Sequence, residues 1–264
     1  MRLARIEIDG EPAYCQVEDD GYRVLGPGEP EAAKPTGAVV AAEEAAHLSP
    51  VSPTKILAVL GAFPRGRTRE EARQRVPGFT SKLISCINAH NRPIVVPFDG
   101  STNILGEAEI GVVLGRACRR VTPDEARHAI LGFTCVNDVT LAGRGESDKD
   151  FMRCKSVDTF GPFGPWIETG LDPDKVSAGL LIRGYVNGVQ TQEGNTKDFT
   201  YDVLETIAWA SQFFTLNRFD LICLGTPTPA SDIAAGDVMT VTVDGVGSLA
   251  NPIVAEPGGG SRTD

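Results

Sequence analysis

Two glutamates, Glu107 and Glu109, open an otherwise apolar run, Gly106-Glu107-Ala108-Glu109-Ile110-Gly111-Val112-Val113-Leu114-Gly115. An extended strand turns alternate side chains to one side, so the two carboxylates point together. Two like charges that close on a partly buried sheet face repel unless something positive sits between them, and a divalent cation held by oxygens meets that need. For the pair alone, a solvated strand end is the plain alternative. A second apolar strand, Gly132-Phe133-Thr134-Cys135-Val136, stops at Asn137-Asp138. Asp138 could complete an all-oxygen site suited to Mg²⁺, Mn²⁺ or Ca²⁺ rather than zinc, although Asn-Asp by itself is a turn signal. Lys155 precedes a stretch, residues 156–166, so rich in Gly, Pro and aromatics that an irregular loop is expected. A lysine held there could face a ligand, the alternative being an ordinary surface lysine. Gly225-Thr226-Pro227 ends a third apolar run, and its hydroxyl and backbone N–H groups could hold a carboxylate.

The elements that must position these residues are mostly strands. Ala108, Ile110, Val112 and Leu114 line the face opposite the glutamates, which makes one side dry core, while Gly111 leaves space on the carboxylate side. Strand patterns run over 107–115, 130–139, 179–187, 219–225 and 236–243. Helix signals stand at Thr122-Pro123-Asp124-Glu125 and over 201–214. The first fifty residues show short alternating runs punctuated by Asp9-Gly10 and Asp20-Gly21, the pattern of a β meander. A Pro-, Ala- and Glu-rich connector follows over 26–53, then a buried strand begins at Lys55. The expected organisation is a small N-terminal β domain with its connector (1–52), a larger domain (53–257) and a disordered tail (258–264). Strands outnumber helices, giving an α+β, β-rich class rather than a doubly wound sheet.

Composition narrows the partners. With a net charge of −10 over 264 residues, no basic surface is available for nucleic acid. No apolar run reaches the roughly 18–20 residues of a membrane span, and a soluble cytoplasmic protein is expected. The six cysteines have no C-x-x-C spacing, so neither a zinc knuckle nor a disulfide framework is indicated. His47, His90 and His128 lie far apart in sequence and are expected in surface or capping roles.

Taken in order, these pieces resemble the fumarylacetoacetate hydrolase family over roughly residues 55–255. The resemblance rests on the Glu-x-Glu strand continuing into Val-Val-Leu-Gly, on Asn137-Asp138-Val139-Thr140, and on Lys155-Ser156-Val157-Asp158-Thr159-Phe160-Gly161-Pro162-Phe163-Gly164-Pro165-Trp166. Val186-Asn187-Gly188, Gly225-Thr226-Pro227, Gly236-Asp237-Val238 and Gly247-Ser248-Leu249-Ala250-Asn251-Pro252 add to it. It implies a mixed β-roll acting as a homodimer on a small anionic 2-oxo acid. Glu107, Glu109 and Asp138 would hold Mg²⁺ or Mn²⁺, and a cation chelated by the 2-oxo acid would stabilise the enolate left when a carbon–carbon bond breaks. Lys155 would supply positive charge there, Thr226 with Gly225 would anchor the substrate carboxylate, and Gln190 or Gln192 would take a polar substrate contact.

The chain departs from the family pattern in three places. Hydrolytic members carry a His and Glu on a lid after the first main strand, whereas Gly61 to Arg75 contains no histidine. Glu70 or Glu71 could serve as the base, a capped helix beginning at Thr68 being the plain alternative. Five arginines there could instead draw an anionic substrate under a lid. The arginine usual after Asn-Asp-Val-Thr is displaced, to Arg144 on this reading, and the glycines usual after Gly-Thr-Pro are missing. Cleavage of an acylpyruvate-like 2,4-dioxo acid is the leading expectation. Decarboxylation, tautomerisation or dehydration, which dispense with the His/Glu pair, are the alternatives. A non-catalytic ligand-binding relative is the reading from another class, against which the three carboxylates speak.

Overall fold

The computed structural model describes residues 1–97, 103–142 and 151–257. Asp9 and Gly10 both take positive φ, 52° and 83°, forming a two-residue turn whose hand matches the twist of the strands it joins. It pairs Arg2–Ile8 with Glu11–Glu18, which in turn pairs with Gly21–Leu25, the expected meander. The connector is not wholly irregular. Pro35–Val40 pairs with Gly21–Leu25, and Ala46–His47 with Arg2–Ile8. Pro35–Val40 is nearly all exposed, so it carries no apolar alternation, and backbone pairing alone defines it.

Arg2–Ile8 also pairs with Gly161–Glu168, so the meander continues the sheet of the main body. From there the order runs through Ile130–Asn137, Ala108–Leu114, Leu221–Cys223, Ile56–Leu60 and Gly78–Lys82. Residues 161–166, expected as part of an irregular loop over 156–166, instead open a central strand, Gly161–Glu168. Pro162 sits near its start, against Asn88, and the pairing with Ile130–Asn137 shifts register between Phe133 and Cys135. Irregular pairing of this kind accommodates residues that give no N–H to the ladder.

A second sheet packs on the first, in the order Val189–Asn195, Leu181–Val186, Val238–Val243, Gly247–Ala255 and Ile94–Val96. Between them lies the main core: Ile110, Val112 and Phe133 meet Ile182, Val241 and Leu249, with Ile207 of the helix Val203–Phe213. The opposite face of the large sheet is covered too, by Leu3, Val113, Phe163, Ile167 and Leu221. Ala108–Leu114 is therefore buried along its whole length, and at about 1.5–3 kcal/mol per large apolar side chain removed from water its place is firmly set.

A small third sheet joins Thr140–Ala142, Asn103–Gly106 and Ser231–Ile233. It matters for position. Asn103–Gly106 leads into Ala108–Leu114 with a break at Glu107, and Ile130–Asn137 leads into Thr140–Ala142 with a break at Asp138 and Val139. Two neighbouring strands thus leave the large sheet at the same level, and both breaks carry a carboxylate.

Of the histidines, His128 caps a helix C-terminus and is exposed. His47, expected at the surface, is only 6% exposed. Its Nε2 lies 3.3 Å from the Tyr22 hydroxyl and its ring meets His90 edge-on at 4.8 Å. Contacts from the 90–92 loop account for the difference, the His90 ring and an Arg92 Nε–H donated to the His47 carbonyl at 3.4 Å. Among the described residues no helix is long and apolar enough to cross a membrane.

Candidate metal centre

The two strand breaks are tied together by their own backbone. The Glu107 N–H donates to Asn137 Oδ1 at 2.9 Å, and the Asp138 N–H donates to the Glu107 carbonyl at 3.0 Å. Glu109, one strand step on, projects from the same side. The result is a cluster in which one carboxylate oxygen from each of Glu107, Glu109 and Asp138 lies within 4.8 Å of the others. Glu109 and Asp138 are each 2% exposed.

Two lysines meet this cluster. Lys155 Nζ donates to Asp138 Oδ2 at 2.7 Å and to Glu107 Oε2 at 2.8 Å. Lys82 Nζ donates to Asp138 Oδ1 at 2.6 Å and to the Val139 carbonyl at 3.1 Å. Lys82 is 3% exposed and had not been anticipated from sequence. It ends an edge strand, with its acidic partner 56 residues away. The only sequence signal is a lone cation in the otherwise uncharged stretch from Phe79 to Ile84.

Charge explains why a cation fits. Three carboxylates face two ammonium groups, leaving one negative charge in excess. Burial would push the Asp138 carboxyl up, but the Lys82 and Lys155 ammoniums hold it below the usual carboxylate range. Burial raises Glu109 well above that range, and the charges of Asp138 and Glu107 push it further. Glu107 is raised by burial and by Asp138, against the pull of Lys155. Lys155 is raised because its three carboxylate neighbours outweigh burial, which keeps it an ammonium. A divalent cation among three hard oxygen donors would reverse the cost of ionising Glu109, so the donor set fits Mg²⁺, Mn²⁺ or Ca²⁺.

The cluster lines a cavity of about 440 Å³. Lys155, Thr226 and Gly225 line it with the three acids, and so do Leu141, Ala62, Phe151 and Arg65. Gly225 takes φ +101°, and a Cβ there would lie 2.2 Å from the Ala62 Cβ, so only glycine fits. Its N–H donates to Glu109 Oε2 at 2.7 Å. Gly225 therefore orients the glutamate while itself lining the cavity. The Thr226 hydroxyl donates to the Ala108 carbonyl at 3.1 Å and accepts from Gln192 Nε2 at 3.0 Å. The space beside Gly111 is not a ligand surface: a Cβ there would meet Val136 Cγ2 at 2.7 Å and Leu221 Cδ1 at 2.8 Å.

Gln190 and Gln192 separate in the structure. They are two residues apart and should share a face, yet Gln190 is exposed and bonds Glu193, while Gln192 is 3% exposed. The pairing runs Gly184 with Gln192 and then Tyr185 with Gln190, so Thr191 is a bulge that reverses the alternation. Gln192 lies beneath the site, accepting from the Ala108 N–H and holding Thr226. Neither glutamine is among the residues lining the cavity. Nor are Glu70 and Glu71. Glu71 closes a capping box with Thr68 and is thereby held below its ordinary range, while Glu70 is exposed on the same short helix, Arg69–Arg73. Arg144 lies outside the described residues, as does the tail 258–264.

Two packed sheets thus carry, at a shared strand break, an acidic triad that could hold a metal ion. Residues 55–254 match the family model described as fumarylacetoacetate (FAA) hydrolase C-terminal, and residues 1–50 match one described as Rv2993c-like, N-terminal. The chain belongs to the fumarylacetoacetate hydrolase family. It is 40% identical to Protein Rv2993c of Mycobacterium tuberculosis over 62% of its own length and 61% of that protein's, less than two thirds of it. It also resembles the crystal structure of a 5-carboxymethyl-2-hydroxymuconate delta-isomerase from Mycobacterium smegmatis, with TM-score 0.87 and 32% identity over 97% of this chain and 100% of that one. A maleylpyruvate hydrolase from Sphingobium sp. SYK-6, solved with manganese(II) and pyruvate, matches with TM-score 0.79 and 25% identity over 97% and 99% of the two chains. Relatives with hydrolase, isomerase and decarboxylase names surround the chain, and it is an enzyme of this family.

Proposed function

We propose that the chain is a Mg²⁺- or Mn²⁺-dependent enzyme that breaks a carbon–carbon bond beside the carbonyl of a small 2-oxo acid, holding the enolate that results. The observation that carries this is the convergence of Glu107, Glu109 and Asp138, with Lys155 beside them, in the lining of one cavity. Held by the three carboxylates, the cation would supply Lewis-acid polarisation of the substrate carbonyl. Lys155 presents an ammonium beside the place where charge grows on the substrate oxygen, and its proton can be passed to the carbon that loses a substituent. Lys82 keeps Asp138 ionised and aimed. Gly225 fixes Glu109, and Gln192 fixes Thr226 in the cavity lining.

Among the described residues no imidazole lines the cavity, and its only carboxylates are the three of the cluster. A reaction that needs no activated water, loss of carbon dioxide above all, suits that wall best. Hydrolysis of an acylpyruvate is the second reading, supported by the likeness to the maleylpyruvate hydrolase. Incubating the protein and Mg²⁺ or Mn²⁺ with oxaloacetate and with acylpyruvates, and following products by NMR, separates the two. Calorimetry should show one divalent ion bound per chain, lost in Glu109→Gln. Absence of cation binding, or turnover that survives Asp138→Asn unchanged, would sink the proposal.

A further inference from the structure

The loop between Ile87–Asn88 and Ile94–Val96 is pinned to the second sheet on one side and to the first meander on the other. Asn251, buried in Gly247–Ala255, donates through Nδ2 to the Ala89 and Arg92 carbonyls at 2.8 and 2.7 Å. Ala250 turns both of its backbone groups to the loop: its carbonyl accepts from the Asn91 N–H at 2.8 Å, and its N–H donates to His90 Nδ1 at 3.0 Å. On the meander side the loop meets His47, through the His90 ring and the Arg92 side chain. His47 stands opposite Ile6 where Ala46–His47 pairs with Arg2–Ile8. It therefore shares the buried face of Ala4, Ile6, Cys15 and Tyr22.

Neither ring has room for a second proton. The Ala250 N–H uses the Nδ1 lone pair of His90, so a protonated His90 gives up that bond. His47 Nδ1 is buried and without a hydrogen-bond partner among the described residues, and a charged N–H there would lack an acceptor. A proton on either ring would also set a charge against its neighbour. The titratable groups facing the pair offer no relief. The meander brings Tyr22 and Cys15, the loop brings Arg92, and Gly247–Ala255 brings none. Arg5 and Glu7 flank Ile6 and so project from the other face of their strand. Among the described residues no carboxylate bonds either imidazole. Burial, then the Arg92 charge, pushes His47 down, and burial, then His47, pushes His90 down to about 4.

We propose that His47 and His90 form an acid-sensitive latch between the first meander and the second sheet, closed while both rings are neutral and released as they take protons. Once freed, each imidazole titrates near its ordinary value of about 6.5. The closed state therefore keeps its full advantage above that pH. Below it, the ratio of closed to open falls by about ten-fold per pH unit for each histidine, about a hundred-fold for the two together, until the closed-state rings themselves titrate.

Hydrogen exchange on the full chain, followed by NMR and corrected for the intrinsic rate at each pH, tests this. From pH 6 to pH 5 the protection of the Ala250, Asn91 and Leu48 amides should fall by more than ten-fold, while amides of the helix Val203–Phe213 keep theirs. His90→Asn offers the Ala250 N–H an oxygen acceptor that does not titrate, and combined with His47→Gln it should flatten the profile. Protection that is level with pH in the wild type, a fall shared equally by the helix, or a steep fall that persists in the double variant overturns the latch. Should the double variant not fold, the wild-type ring resonances decide: both imidazoles must titrate below 6.5, and either one titrating at or above that value overturns the proposal.

Discussion

Asp138 is the residue on which the site turns, because it is held by both buried lysines. Removing one partner of a buried ion pair leaves a charge without compensation and costs about 3–5 kcal/mol in general. In Lys82→Met the remaining partner, Lys155, softens that cost, so chemical denaturation should show a loss of roughly 2 kcal/mol or more. Saturating Mg²⁺ or Mn²⁺ should recover much of it by placing positive charge beside the same carboxylate. An unchanged midpoint would mean that Lys82 contributes nothing to holding Asp138. At this scale the sequence was informative where chemistry constrains residue type. Glu107, Glu109, Asp138 and Lys155 stood out as charges at the ends of apolar runs, and the structure brings all four together. Lys82 did not, since its acid is reached only by pairing Gly78–Lys82 against Ile56–Leu60, a contact that leaves no local trace.

The short helix Arg69–Arg73 shows how an element decides a residue's role. Its first-turn glutamates looked able to replace a missing base, but Glu71 satisfies the N-terminal N–H groups through the capping box, and Glu70 is exposed and not among the residues lining the triad's cavity. Glu70→Ala and Glu71→Gln should therefore keep kcat/KM within about two-fold of wild type, a change of about 0.4 kcal/mol in barrier. Thr68→Ala should lower stability by about 0.5–2 kcal/mol. A loss of turnover beyond ten-fold in either glutamate variant would contradict this placement. Legibility failed here for a definite reason. Capping and catalysis recruit the same residue types, and only orientation separates them. The bulge at Thr191 is a second case: a single inserted residue moved Gln190 to solvent and left Gln192 under the site, which period-two counting misses. Residues 156–166 read as loop because they are rich in Gly, Pro and aromatics, yet from Gly161 onward they form a strand whose irregular register tolerates the prolines.

For the whole molecule, the cost concentrated in the acidic cluster should appear as a dependence of stability on pH and metal. The Glu109 carboxyl is raised in the folded chain by burial and then by Asp138 and Glu107. In metal-free protein its favourable contribution is complete below the unfolded carboxylate pKa of about 4.3 and is lost as pH rises through the folded value. With EDTA present, the melting temperature should therefore fall on the alkaline side of that window. With Mg²⁺ or Mn²⁺ present the ionised form is the one bound, and the fall should shrink or reverse. Identical pH profiles with and without cation would show that the cluster holds no ion. The architecture was legible in outline, since alternating runs gave the order of strands. The joining of the meander to the main sheet was not, because it depends on one edge matching another across more than 150 residues.

That joining has a practical consequence. Arg2–Ile8 occupies the hydrogen-bonding edge of Gly161–Glu168, and Leu3 packs with Phe163 and Ile167 behind it. A truncated protein beginning near residue 51 would present a bare row of amide and carbonyl groups flanked by unburied aromatic and branched side chains, a template for sticking to other chains. Light scattering on such a truncation should reveal aggregates at micromolar concentration, even though every side chain of the acidic triad is still encoded in it. The first fifty residues act as a selvedge that keeps the fabric from fraying.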